Sequence, residues 1–158
     1  KTLSVGGIIQ SILPPPAWGY WSRMLPNPNI FKVKKALVLG VGLGTIPQLI
    51  KDNSPNCKIT GVDSKFYKHD VEMEFVKGDA FDFIAQDKNR YDLIVVDLWD
   101  GGCYPTYVLT VDFLDKVKKL LMPRGKIYIN APDIEELARK SGLMIKEFVP
   151  EGNIIYEN

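Results

Sequence analysis

The chain has 158 residues, 46% of them hydrophobic and 25% charged, which fits one soluble globular domain able to bury roughly 68–70% of its unfolded surface without a metal or disulfide staple. Lysine plus arginine number 20 against 19 acids, a net charge of +1, so no field is present for gripping a phosphate backbone and nucleic acid is not implied as a partner. Two cysteines, Cys57 and Cys103, cannot form a secreted-type framework, and no apolar run approaches the about 20 residues needed to span a bilayer; the expected setting is the cytoplasm, away from membranes, with reduced thiols.

Residues 1–31 read as an extended, proline-rich arm. Prolines at 14 to 16, 26 and 28 remove backbone donors and fix φ, so short extended pieces are expected. Ile8, Ile9, Ile12, Trp18, Tyr20 and Trp21 would form a sticky surface if wet. The arm is therefore expected to fold over the domain or to meet a second copy in a homodimer.

Residues 32–158 alternate strand and helix signals. Ala36 to Leu39 is a short apolar run ending in glycine, as in a strand buried on both faces of a parallel sheet. A helix through Ile46, Leu49 and Ile50 follows, with Pro47 tolerated in its first turn. Strands recur at Lys58 to Val62, Glu74 to Val76, Leu93 to Val96 and Lys126 to Ile129. Thr110 is the expected N-cap of a helix carrying Phe113, Leu114, Val117, Leu120 and Leu121 at helical period, stopped by Pro123 and Gly125. Asp133 and Glu136 open a further helix that ends at Gly142. The tail reads as two strands around a Pro-Glu-Gly-Asn turn. The sum is an α/β, Rossmann-like, doubly wound and mostly parallel sheet that ends in an antiparallel hairpin, with its ligand beyond the carboxyl ends of the strands.

The run LVLGVGLGT places Gly40, Gly42 and Gly44 directly after the first buried strand, where a ligand can approach bare backbone. A dinucleotide fingerprint needs a third glycine where Thr45 stands, which makes an NAD site the weakest reading. Asp63 ends the second strand 63 − 40 = 23 positions on from Gly40, close to the spacing of about 20 at which an acid meets ribose hydroxyls. Gly78, Asp79 and Ala80 follow the third strand, and Asp79 can also cap the helix after it. Asp97 ends the fourth strand, with Asp100 three positions later in the overhanging loop. Strands are otherwise poor in aspartate.

With these motifs in place, Ala36 to Ala131 resembles the nucleoside-binding domain of the spermidine synthase and class I methyltransferase superfamily. GGIIQS at Gly6 to Ser11 and the loop DLWDGGCYPTYVLT are similar to the corresponding spermidine synthase segments. The resemblance implies that S-adenosylmethionine, or its decarboxylated form, is the cofactor. Gln10 would approach the methionine moiety, Gly40, Gly42 and Gly44 the nucleoside, Asp63 the ribose, and Asp79 with Ala80 the adenine. Asp97 and Asp100 would be catalytic, receiving a small-molecule acceptor such as an amine; no metal is implied. Leu43 stands where spermidine synthases usually carry an acid for the ligand's amino group, which ranks methyl transfer ahead of aminopropyl transfer. The segment between Asp63 and Asp79 leaves little or no room for the usual helix, which keeps a binding-only protein as a third alternative. His69, the lone histidine, reads as a surface residue; Trp18, Trp21 and Trp99 could wall a ligand or fill a core.

Overall fold

The first two strands, β1 (Thr2–Val5) and β2 (Ile8–Ile12), pair antiparallel as a separate hairpin. Its two-residue turn uses Gly6 and Gly7 at φ 59° and 81°, the left-handed geometry such turns require. This computed structural model describes residues 1–16, 21, 25, 32–99, 103, 105–131, 144–149 and 153–157; the helix expected from Asp133 to Gly142 lies outside them.

Among the described residues seven strands make the main sheet: β3 (Lys35–Leu39), β4 (Lys58–Asp63), β5 (Glu74–Lys77), β6 (Tyr91–Val96), β7 (Leu121–Asn130), β8 (Met144–Val149) and β9 (Asn153–Glu157). Their order is β5-β4-β3-β6-β7-β9-β8. The ladders from β5 to β7 are parallel, whereas β9 runs antiparallel to β7 and to β8, giving the expected closing hairpin. After β3 the chain builds outward through β4 and β5, then returns to place β6 on the other side of β3. That reversal opens a crevice at the carboxyl ends of β3 and β6.

Side chains on the central strands alternate between two cores. Ala36, Val38, Leu93 and Val95 face α1 (Thr45–Asn53), which contributes Ile46 and Ile50; Trp21 of the arm joins this cluster at 4% exposure. Leu37, Leu39, Ile94 and Val96 face α2 (Ala80–Gln86) and α3 (Val111–Lys119). Asp79 caps α2, accepting from the Phe81 and Asp82 amides, and Thr110 caps α3, accepting from the Phe113 amide.

Two features depart from the sequence reading. Pro123 and Gly125, expected to stop a helix, lie within β7: α3 already ends at Lys119, and the chain bulges between the Tyr91–Leu121 and Leu93–Lys126 pairs, with Arg124 at φ 65°. His69 is no open surface residue, because both ring nitrogens are buried beside Phe66 and Phe75. The cause is the missing helix. Residues 64–73 cross from β4 to β5 as irregular chain drawn down on the sheet, with Met73 over Gly61, where a Cβ would come within 2.7 Å of its sulfur.

Candidate functional site

At the crevice, Gly40 lets two backbones touch. A methyl group there would lie 2.1 Å from the Asp97 carbonyl oxygen, and Gly40 already sits at φ 90°, so a side chain is excluded on both counts. Gly40 N–H donates to Val62 O, and Asp97 N–H donates to Leu39 O, each at 2.8 Å. These bonds tie the tips of β3, β4 and β6 together.

The glycine loop is saturated from within. The Val41 and Gly42 amides both donate to Asp63 Oδ2, at 2.9 and 3.0 Å, and Gly44 N–H donates to Val41 O at 2.9 Å. The Leu43 amide donates to Ser11 Oγ at 3.1 Å, reaching across to the hairpin. Every amide from Gly40 to Gly44 therefore has an internal acceptor.

Ser11 and Thr45 form the latch between hairpin and loop, and their hydrogen directions follow from counting. Thr45 Oγ1 donates its one proton to Ile12 O at 2.8 Å, so in the 2.6 Å Ser11–Thr45 bond the serine must be the donor. Ser11 Oγ then accepts from Leu43, and Thr45 Oγ1 also accepts from the Ile12 amide at 2.9 Å. Both side chains are buried, at 2% and 1% exposure, which this closed circuit permits.

A cavity of about 280 Å³ occupies the crevice, near the lower end of the roughly 300–1,000 Å³ typical of small-molecule sites. Seven of the residues singled out from sequence line it: Gln10, Gly40, Gly42, Asp63, Asp79, Ala80 and Asp97. Gly44 does not; it serves as the left-handed N-cap of α1, against Val71 and His69. Asp100 and Trp18 lie outside the described residues, whereas Trp21 and Trp99 both reach the wall.

The carboxylates are already engaged. Asp63 also accepts from Lys65 N–H at 2.9 Å through Oδ1, so three of its roughly four lone-pair positions are used and Oδ1 keeps room for one more donor. Asp79 Oδ1 takes the two helix amides, while Oδ2 takes the Tyr107 hydroxyl at 3.2 Å. Burial first, and the Asp79 charge second, push the Tyr107 phenol above its ordinary range, so it stays protonated. Asn130, at the end of β7, donates to Asp97 Oδ1 at 2.7 Å. Gln10 Nε2 is buried in the cavity wall with no hydrogen-bond partner among the described residues. Ser11, Tyr107 and Asn130 were missed by sequence reasoning, since each is an ordinary residue type made important by a distant partner. Tyr107 alone carried a trace, two positions after Pro105 in the loop that overhangs the crevice.

Fold and site together define a Rossmann-like domain with a crevice at its switch point lined by Asp63, Asp79 and Asp97. The spermine/spermidine synthase domain model matches residues 44–147, and the chain belongs to that family. A probable polyamine aminopropyl transferase of Bifidobacterium longum is 25% identical over 121 residues, 70% of this chain but 27% of that relative, so the chain spans about a quarter of its length. Among solved structures, a spermidine synthase in complex with the transition state analogue AdoDATO superposes with a TM-score of 0.65 at 17% identity, covering 96% of this chain and 63% of that one. Human methyltransferase-like protein 13 in complex with SAH gives 0.61 at 23% identity, covering 87% and 77%. At these identities the two structures share the fold. No helix among the described residues is long and apolar enough to cross a membrane.

Proposed function

We propose that the chain binds S-adenosylmethionine and transfers a group from it to a small acceptor, methyl transfer being the first reading. The observation that carries this is the saturated glycine loop. A dinucleotide's pyrophosphate needs loop amides, and here those of Val41 and Gly42 are held by the Asp63 carboxylate, whose charge would also repel it. A nucleoside bearing a positive sulfonium meets the opposite situation, with Asp63, Asp79 and Asp97 in the wall.

The residues present fit that cofactor. Asp63 Oδ1 has room for a ribose hydroxyl, Asp79 and Ala80 would flank the adenine, and the Gln10 amide, without a partner among the described residues, would serve the methionine end. When bound, S-adenosylmethionine supplies an electrophilic methyl carbon, and its decarboxylated form an aminopropyl carbon. Asp97 would orient the acceptor and take its proton, its carboxylate steered by Asn130; Asp100 would stand beside it. An amine acceptor, a cytoplasmic location and self-association through the hairpin, where Ile8 and Ile9 are each 45% exposed, belong to the same proposal.

Aminopropyl transfer is the second reading, favoured by the family match. Leu43 ranks it second, being an apolar, buried residue at the position where an acid would hold the aminopropyl amine. Calorimetric titration with S-adenosylmethionine, its decarboxylated form, S-adenosylhomocysteine and NAD tests all of this. Binding of the sulfonium compounds without NAD is expected. NAD binding as tightly as S-adenosylmethionine would overturn the loop argument, and cofactor binding without turnover on a broad amine panel would favour a binding-only protein.

A further inference from the structure

Tyr107 has no assigned role, yet its hydroxyl meets the carboxylate on which the adenine assignment rests. The residue opens from the 3-10 turn Thr106–Leu109 and is gripped by aromatic neighbours, with ring centroids 5.5 Å from Phe81 and 5.6 Å from Phe113. Its hydroxyl donates to Asp79 Oδ2, and both residues line the cavity.

Proton bookkeeping fixes what this pair shows to a ligand. The one phenolic hydrogen points at Asp79, so the oxygen offers the cavity lone pairs only. Asp79 has no hydrogen to give, and its Oδ1 is filled by the Phe81 and Asp82 amides, which leaves acceptor capacity at Oδ2. Turning the phenol toward a ligand carbonyl would break a charge-assisted bond, the stronger kind. The edge built by Asp79 and Tyr107 is therefore acceptor-only.

We propose that Tyr107 is a specificity-determining residue, which with Asp79 selects a purine carrying an exocyclic amino group and rejects one carrying a carbonyl there. This rests on the nucleoside reading of the site. An amine can divide its two hydrogens between Asp79 Oδ2 and the Tyr107 oxygen. A 6-oxo group would face two acceptors, the unpaired arrangement that discriminates most strongly.

The test compares S-adenosylhomocysteine with S-inosylhomocysteine by calorimetry on the full chain. The parent should prefer the adenosyl compound by about tenfold or more, the worth of roughly one hydrogen bond. Tyr107→Phe keeps the ring packing and should shrink that ratio severalfold. Asp79→Asn keeps a good helix cap. It also turns one acceptor into a donor and should move the preference toward the inosyl compound. A ratio unchanged in Tyr107→Phe, with adenosyl binding intact, overturns the role of Tyr107 and leaves the cofactor reading standing. Failure of the parent to bind either compound overturns both.

Discussion

Ser11→Ala tests whether the hairpin is truly fastened to the glycine loop. The substitution removes one buried oxygen that makes two bonds, to the Leu43 amide and to Thr45 Oγ1. Thr45 keeps its exchange with Ile12, so its loss is small. The Leu43 amide is left buried without an acceptor, which costs about 1–3 kcal/mol. Taking about 2 kcal/mol, a domain of this size should melt roughly 4–8 °C lower. If the hairpin detaches before the domain unfolds, the loss appears instead as faster hydrogen exchange at the Leu43 amide. Thr45→Ser, which keeps the hydroxyl, should change both readouts far less. A Ser11→Ala protein with unaltered melting and unaltered Leu43 exchange would refute the latch.

Three more tests address the site and the core. Asp97→Asn keeps one acceptor oxygen for Asn130 but removes the charge, so transfer to any amine that supports turnover should fall about 10²–10⁴-fold while S-adenosylhomocysteine affinity changes little; intact transfer would make the carboxylate structural. Cys57 is 1% exposed and Cys103 is exposed, so a thiol reagent at neutral pH should label Cys103 alone until the chain is unfolded. Burial pushes the Cys57 thiol up from 9.0 to about 11. The folded state holds that proton more tightly than the unfolded one, so its contribution to stability is complete below pH 9 and is lost as pH rises through 11. Cys57→Ala should flatten the alkaline part of the stability profile, and an identical profile would count against the burial argument.

Local pattern carried much of this molecule into view. The alternation of Ala36 and Val38 with Leu37 and Leu39 reflects burial on both faces of a central strand, and glycines after such a strand have few other uses. Thr110 and Asp79 were legible as caps because capping involves only the next turn. The hairpin latch was not legible. Ser11 and Thr45 are unremarkable in sequence, and only the fold brings them within 2.6 Å. Asp63 shows the middle case: its position pointed to the crevice, but its first partners are the loop's own amides, a bond invisible to a reading based on spacing. His69 was misjudged because polar neighbours in sequence suggested open solvent, whereas the helix-free crossover pulls it against Phe75.

The self-satisfied loop has a consequence for the kinetics of capture. A loop whose amides await a ligand must give up hydration or rearrange when one arrives, and that ordering is subtracted from affinity. From Gly40 to Gly44 the amides are committed beforehand to Val62, Asp63, Ser11 and Val41, so the loop is fixed by internal bonds and is expected to keep its shape when a ligand arrives. Association at such a floor is expected to be a single-step encounter, and rapid mixing with S-adenosylhomocysteine should give one exponential whose rate climbs linearly with ligand concentration.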